Sequence, residues 1–375
     1  MRAKYTAAGR RTLSDMTAEE AQDILKTLAE LEFPGTYGLS MIMAIFRTYG
    51  IPTISSLLVA TGELKNSETA SKRAADTGLL ILEFGLNKPT SERAIQAIAR
   101  MNFLHSRYQK AGKITNNDLL YVLGIFVLEP VRWISRYEWR SLTDVELCAS
   151  GTFWKNLGDA MEISYEPLSS SAKGWQDGLH WLSDIKQWSD EYEETHMVPG
   201  ETNRKLADSL LDSLLPRRPA GFRELYMKIV AVLQGNRLRQ YSEPPAIYHA
   251  VVNGILYVRK LLLRHLMLPR PHFLRSQWIE ATPHGPNGHY FLFDYLAHPW
   301  YVKPSFMHRW GPRAWVSRLL GYKVPGDDGD KYFPHGYTIT DIGPQSLSGS
   351  GKEEMDKIQA RLYSLDRGAC PFTSR

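Results

Sequence analysis

Cysteine is nearly absent. Two thiols in 375 residues, Cys148 and Cys370, exclude a disulfide framework and a cysteine-based zinc site, and they favour a reducing, cytosol-facing environment. Long apolar runs are also missing. No stretch reaches the roughly 18 to 20 residues of a membrane span. The longest, Leu119–Leu128, Phe33–Phe46 and Pro244–Val258, read as buried core helices. The opening Met1-Arg-Ala-Lys-Tyr lacks the apolar centre of a secretory signal, so the chain is expected neither to span a membrane nor to be exported. Charge excess is small, with Lys+Arg 45 against Asp+Glu 40 for a net +5. That is too dilute for a nucleic-acid partner and leaves an anionic membrane surface or an acidic ligand open.

Motifs for common chemistries are missing as well. There is no His-Glu-x-x-His, no Gly-x-Ser-x-Gly, and no Gly-x-Gly-x-x-Gly after a strand. Ser348-Gly-Ser-Gly-Lys352 fails as a phosphate loop because Glu353 follows the lysine and Ser346 stands where glycine is required, so it reads as a flexible linker. His284 and His289 lie five apart with no neighbouring carboxylate to complete a metal site.

What the chain does have is helical periodicity. Thr17-Ala-Glu-Glu20 and Thr143-Asp-Val-Glu146 are capping boxes that open helices. Further helices are expected over Tyr37–Tyr49, Thr53–Thr61 and Lys72–Phe84, the last with Arg73 and Thr77 one turn apart on one face. Asn117-Asp118 is read as the cap of a helix that is apolar nearly all round and therefore central. Another runs Trp175–Tyr192, and breaks fall at Pro216-Arg-Arg-Pro219 and Pro244-Pro245. From Pro269 the chain is dense in Pro, Gly, Trp, Tyr and His, which implies ordered loop with short helices. The reading is an all-α protein, a helical body over 1–268 and a loop-rich C-terminal extension over 269–375 that packs on it.

Three features bear on chemistry. His105 continues the stripe Ile95, Ile98, Met101 at steps of three and four. An imidazole on a core-facing stripe needs a polar partner or a cofactor, because burying it unpaired costs about 1 to 3 kcal/mol. Pattern alone leaves a satisfied structural histidine and a ligand both open. The stripe Trp181, Ile185, Trp188, Tyr192 suits either core packing or the wall of an apolar tunnel. The segment Tyr257–Arg270 sets cations beside an apolar run, which fits a membrane interface and an internal helix with snorkelling arginines equally well.

Several longer runs carry a resemblance. Arg100-Met-Asn-Phe-Leu-His105-Ser-Arg-Tyr108, Asp118-Leu-Leu-Tyr121, Glu138-Trp-Arg-Ser-Leu-Thr-Asp-Val-Glu-Leu-Cys148 and Gly151-Thr-Phe-Trp-Lys-Asn-Leu-Gly-Asp159 resemble the central part of the fungal endoplasmic-reticulum-bound oxygenases of the MpaB family. Phe46-Arg-Thr-Tyr-Gly-Ile-Pro-Thr-Ile-Ser55, Arg309-Trp-Gly-Pro312 and Val324-Pro-Gly-Asp327 extend the likeness over nearly the whole chain in the same order.

The resemblance implies a catalytic domain shared with the bacterial rubber oxygenases (latex-clearing proteins), which are all-helical, globin-like haem b enzymes that split C=C bonds with dioxygen. It places the iron ligand at His105 and an Arg-x-x-x-Thr pair beside the haem at Arg73 and Thr77. Arg73, a permanent cation, suits a propionate or an oxygen carrying partial negative charge, and Thr77 suits a hydrogen bond to the same oxygen. A surface salt bridge to Asp76 or Glu68 is the alternative use of Arg73. The chain departs from the rubber oxygenases at Asp76, where they carry lysine, and neither Glu63 nor Glu68 matches their proposed catalytic glutamate in register. The implied activity is cleavage of a C=C bond in a prenyl or terpenoid side chain of a fungal meroterpenoid or similar secondary metabolite. The implied partners are dioxygen and a hydrophobic prenylated small molecule, with peripheral contact to the cytosolic face of the endoplasmic reticulum. The alternative is a non-catalytic helical haem or lipid carrier of the same fold.

Overall fold

Side-chain caps decide where most helices begin. In the computed structural model, described over Tyr5 and residues 11–63, 66–198, 200–214, 220–234, 244–285 and 288–372, α1 (Ala18–Thr27) starts at Thr17, whose hydroxyl accepts from the Glu20 amide in the expected box. A single wide turn, Leu28–Glu32, then leads to Pro34 at the start of α2 (Pro34–Thr48), and Pro52 opens α3 (Pro52–Ala60). Asn66 caps α4 (Ser67–Leu86), so this helix begins five residues before the sequence pattern suggests. Ser91 caps α5 (Glu92–Lys110). The central helix, α6 (Asn116–Tyr137), is capped by Thr115 in a box with Asp118, not by Asn117-Asp118 themselves, because Asp118 supplies the reciprocal carboxylate. Thr143 and Glu146 open α7 (Asp144–Ala160) as expected. Asp177 caps α8 (Gly178–His196), which starts later and runs further than the apolar stripe alone indicates.

The core forms around α6, which is buried on almost every face and packs against α2, α7 and α8. Helices α7 and α8 meet at two glycines. A Cβ on Gly151 would lie 1.9 Å from the Gly178 carbonyl oxygen, and one on Gly178 would lie 2.1 Å from that of Cys148. Backbone meets backbone there, and no other residue type fits. Trp181, Ile185 and Tyr192 are buried in this cluster and half-buried Trp188 packs against it, which fits the core-packing reading of the α8 stripe. Both cysteines are free. Helices α9 (Glu201–Leu214), α10 (Ala220–Gln234) and α11 (Ala246–His265) follow, and the break expected at Pro216–Pro219 lies outside the described residues.

The C-terminal part is ordered loop with α12 (Phe306–Trp310), α13 (Pro312–Leu319) and α14 (Lys352–Ser364). Only isolated β-bridges occur among the described residues. Polar ties hold this part to α4 and α5. The Tyr301 hydroxyl donates to Asp76 at 2.7 Å, Tyr337 to Glu83 at 2.6 Å, and the Trp300 indole to Ser71 at 2.9 Å. Arg100 is fully buried and donates to the carbonyls of Ile342, Leu347 and Ser350. That guanidinium explains why the Ser-Gly run before α14 is not a flexible linker: its carbonyls satisfy a buried cation.

One expectation fails outright. The apolar stretch beginning at Pro244 is not a core helix, since no residue of α11 is buried. Among the described residues it is the one helix that passes, by length and composition alone, as a candidate span, so no clear transmembrane segment is present among them. Helices α2 and α3 together meet the same test but are bent by 92° at their break.

Candidate functional site

The α5 stripe passes from the core into a space. Ile95 and Ile98 are fully buried, whereas Met101 and His105 one and two turns later are only half-buried. His105 is nevertheless enclosed by protein, and its buried Nδ1 has no hydrogen-bond partner. Burial, joined by the nearby charge of Arg73, pushes the imidazole down to about 4. At neutral pH the ring is therefore uncharged and keeps a lone pair for a ligand bond.

Arg73 lies on the neighbouring helix, α4, which packs on α5. It is half-buried, and its guanidinium makes no hydrogen bond or ion pair among the described residues, although its charge reaches Asp76. Its two candidate salt-bridge partners are engaged elsewhere. Asp76 pairs with Lys72 at 2.7 Å and accepts from Tyr301, while Glu68 pairs with Lys331 at 2.7 Å. Asp76 is buried, and desolvation raises its carboxyl despite those partners. Thr77 is half-buried one turn after Arg73, and its hydroxyl donates to the Arg73 carbonyl at 2.9 Å. That proton is committed to the helix, so the oxygen faces its surroundings as an acceptor. Beside it, Gly78 is half-buried, yet a Cβ there would meet nothing within 4 Å.

Thus α4 and α5 bring an unpartnered neutral imidazole, His105, within electrostatic reach of a guanidinium without an ion pair, Arg73, with Thr77 one turn further along α4. A half-buried guanidinium without a counter-ion is unfavourable unless an anion completes it. The donor set also fits a haem better than a metal held by protein alone. No group of three or more His, Cys, Asp or Glu stands together among the described residues, whereas a porphyrin brings four nitrogen donors and asks the protein for one. The other histidine pair is occupied: His284 bonds Glu280 at 2.6 Å, and His289 donates to the His335 carbonyl at 2.9 Å.

One neighbour escapes sequence reasoning. Tyr49, at the end of α2, is raised to about 12 by burial and is held back by the Arg73 charge, so it lies near the same guanidinium. It carries no motif, and only helix packing reveals it.

No family model matches the chain. Among curated proteins it is 44% identical over 375 residues to "ER-bound oxygenase mpaB'" of Penicillium brevicompactum, covering 99% of this chain and 88% of that one. It is 44% identical over 364 residues to "ER-bound oxygenase mpaB" of the same organism, covering 97% and 87%. Against "ER-bound oxygenase mpaB" of Penicillium roqueforti (strain FM164) it is 46% identical over 237 residues, covering 63% and 80%.

Proposed function

The chain belongs to the mpaB family of ER-bound oxygenases, and from that membership we propose a haem-dependent enzyme that uses dioxygen to cleave a C=C bond in the prenyl or terpenoid side chain of a fungal secondary metabolite, at the cytosolic face of the endoplasmic reticulum. The observation that carries this reading is the pairing of an unpartnered neutral imidazole, His105, with an unpaired guanidinium, Arg73, on adjacent helices.

In this reading His105 holds the iron of haem b, and the haem supplies the oxygen-activating chemistry when bound. The remaining work falls to the chain. Burial keeps His105 unprotonated at physiological pH, so a proton does not compete for its lone pair. Arg73 binds a propionate or stabilises negative charge that develops during oxygen transfer, and its half-buried position strengthens that interaction over one in bulk water. Met101, one turn before His105 on the same stripe, packs against the core.

The absence of a match in register at Glu63 or Glu68 favours the second reading, a carrier that binds haem or lipid without turnover. Spectra and products separate the two. Protein expressed with haem precursor is expected to show a Soret band and stoichiometric iron, both lost or altered in His105→Ala. A colourless, iron-free wild type of normal helicity rejects the haem assignment. Aldehyde or acid products from a prenylated phenol under oxygen exclude the carrier.

A further inference from the structure

Helix α11 turns an apolar row outward. Its outward positions, Ile247, Val251, Ile255, Val258, Leu262 and Leu266, follow one another at steps of three and four and are all exposed, Ile247 at 67%. Its inward, half-buried positions include Tyr248, His249, Asn253, Arg259 and Lys260. Arg259 donates to Glu138 at 2.9 Å and to the Tyr137 carbonyl, and Lys260 reaches the carbonyls of Ser135 and Arg136. A helix at a water boundary turns its apolar side inward. This one tucks Val252, Leu256 and Leu263 inward as well, yet leaves its longer apolar row outside.

Exposure continues beyond the helix, with Leu268 at 88% and Phe273 at 83%. A second apolar surface comes from α12 and α13, where Phe306, Met307, Trp315 and Leu319 are exposed, the last at 88%. The two stretches flank α10. Tyr322, just after α13, lies within electrostatic reach of Tyr226 on α10, and α10 packs on α11.

Charge identifies the occupant. From Pro244 to Ile279 there is no Asp or Glu, but there are Arg259, Lys260, Arg264, Arg270 and Arg275. From Tyr295 to Gly326 there is again none, against Lys303, Arg309, Arg313, Arg318 and Lys323. The chain as a whole carries 40 carboxylates to 45 cations, so these segments are strongly biased. Arg259, Arg275, Arg313, Arg318 and Lys323 are matched by Glu138, Glu30, Asp294, Asp327 and Asp328 from outside these segments, whereas Lys260, Arg264, Arg270, Lys303 and Arg309 have no carboxylate partner among the described residues. An apolar surface with this net positive charge suits an anionic lipid leaflet. A second copy of the chain suits it poorly, because two-fold pairing sets this cationic face against itself.

We propose that the outer side of α11, the Leu266–Leu274 segment and α12–α13 form a membrane-docking face that lies in the interfacial layer of an anionic bilayer. The helix lies on the membrane and does not cross it: Arg259 and Lys260 fasten its inner side to the end of α6, and crossing would carry those polar ties into hydrocarbon. The relatives' names say that they are ER-bound, and this face assigns membrane contact to particular residues. It stands independently of the haem reading.

Flotation of the full chain with phosphatidylcholine vesicles, with and without phosphatidylserine, tests it. The wild type is expected to float with the anionic vesicles and to be weakened by salt. The double variant Ile255→Glu/Phe273→Glu is expected to bind about tenfold less or weaker still. Arg264→Glu/Arg270→Glu is expected to lose the preference for phosphatidylserine, and Tyr363→Glu, on exposed α14, to float as the wild type does. All these side chains are exposed, so circular dichroism is expected to show an unchanged fold. The proposal is overturned by a wild type that floats with neither vesicle, or by variants that float as well as it does. It is equally overturned by a lipid-free dimer that Ile255→Glu/Phe273→Glu dissolves.

Discussion

Acid should destabilise this protein through His105 in a measurable way. Its imidazole sits near 4 in the folded chain against an ordinary 6.5 when unfolded. The folded value is the lower one, so between these limits the unfolded chain takes up a proton that the native chain refuses. Stability contributed by the neutral buried ring is therefore complete above about pH 6.5 and is lost as pH falls, at roughly 1.4 kcal/mol per pH unit. At pH 7 the loss is negligible, and at pH 4 it reaches about 3 kcal/mol. Many carboxylates titrate at the lower end of this window, so the informative quantity is a difference between proteins. Urea unfolding of cofactor-free wild type and His105→Gln at pH 7, 6, 5 and 4 is expected to show wild type losing about 3 kcal/mol more than the variant over that range. Parallel pH profiles for the two proteins refute the claim that His105 is held neutral by burial, and with it the premise that the ring is kept free for a ligand.

Further outcomes follow from the same geometry. Arg73→Met removes an unpaired half-buried charge and is expected to stabilise the cofactor-free protein by about 1 kcal/mol while reducing haem retention about tenfold, as read by thermal melts and by transfer of haem to an acceptor globin. Arg47→Met strands Glu193, which is buried, pairs with Arg47 at 2.6 Å and accepts from Tyr121. The cost expected in denaturant titrations is about 3 to 5 kcal/mol, and Arg47→Met/Glu193→Leu should recover most of it. Gly151→Ala forces backbone apart between α7 and α8 and is expected to cost about 3 kcal/mol or prevent folding, seen as lost helicity or low soluble yield.

Much of the helical framework is legible in the sequence because its signals are local. Thr17 with Glu20 and Thr143 with Glu146 cap the helices they announce, and the all-round apolarity of α6 does mark the centre. Helix α14 is not legible, since its start lies behind Gly351 at φ 81° and a Ser-Gly run that composition alone assigns to a linker. The buried cation that orders that run, Arg100, comes from some 250 residues away in sequence. The destination of α11 is equally hidden. A core helix and a membrane-facing helix share one composition, and only packing tells them apart.

The site follows the same division. His105 can be singled out from its stripe, but what makes it a site is a contrast with the rest of the molecule. Many cations taken out of water have partners: Arg93 has Glu83, Arg140 has Glu146, Lys72 has Asp76, and Arg367 has the Pro89 carbonyl and Asn156, whereas half-buried Arg309 shares with Arg73 the lack of a carboxylate among the described residues. In sequence, Asp76 and Glu68 are as near to Arg73 as to the lysines that take them, Lys72 and Lys331, so no spacing rule predicts that Arg73 is left over. Asp76 feels the Arg73 charge but accepts its hydrogen bonds from Lys72 and Tyr301, so the Arg73 guanidinium is left near an uncharged imidazole, an arrangement that an anionic, ring-binding ligand would complete.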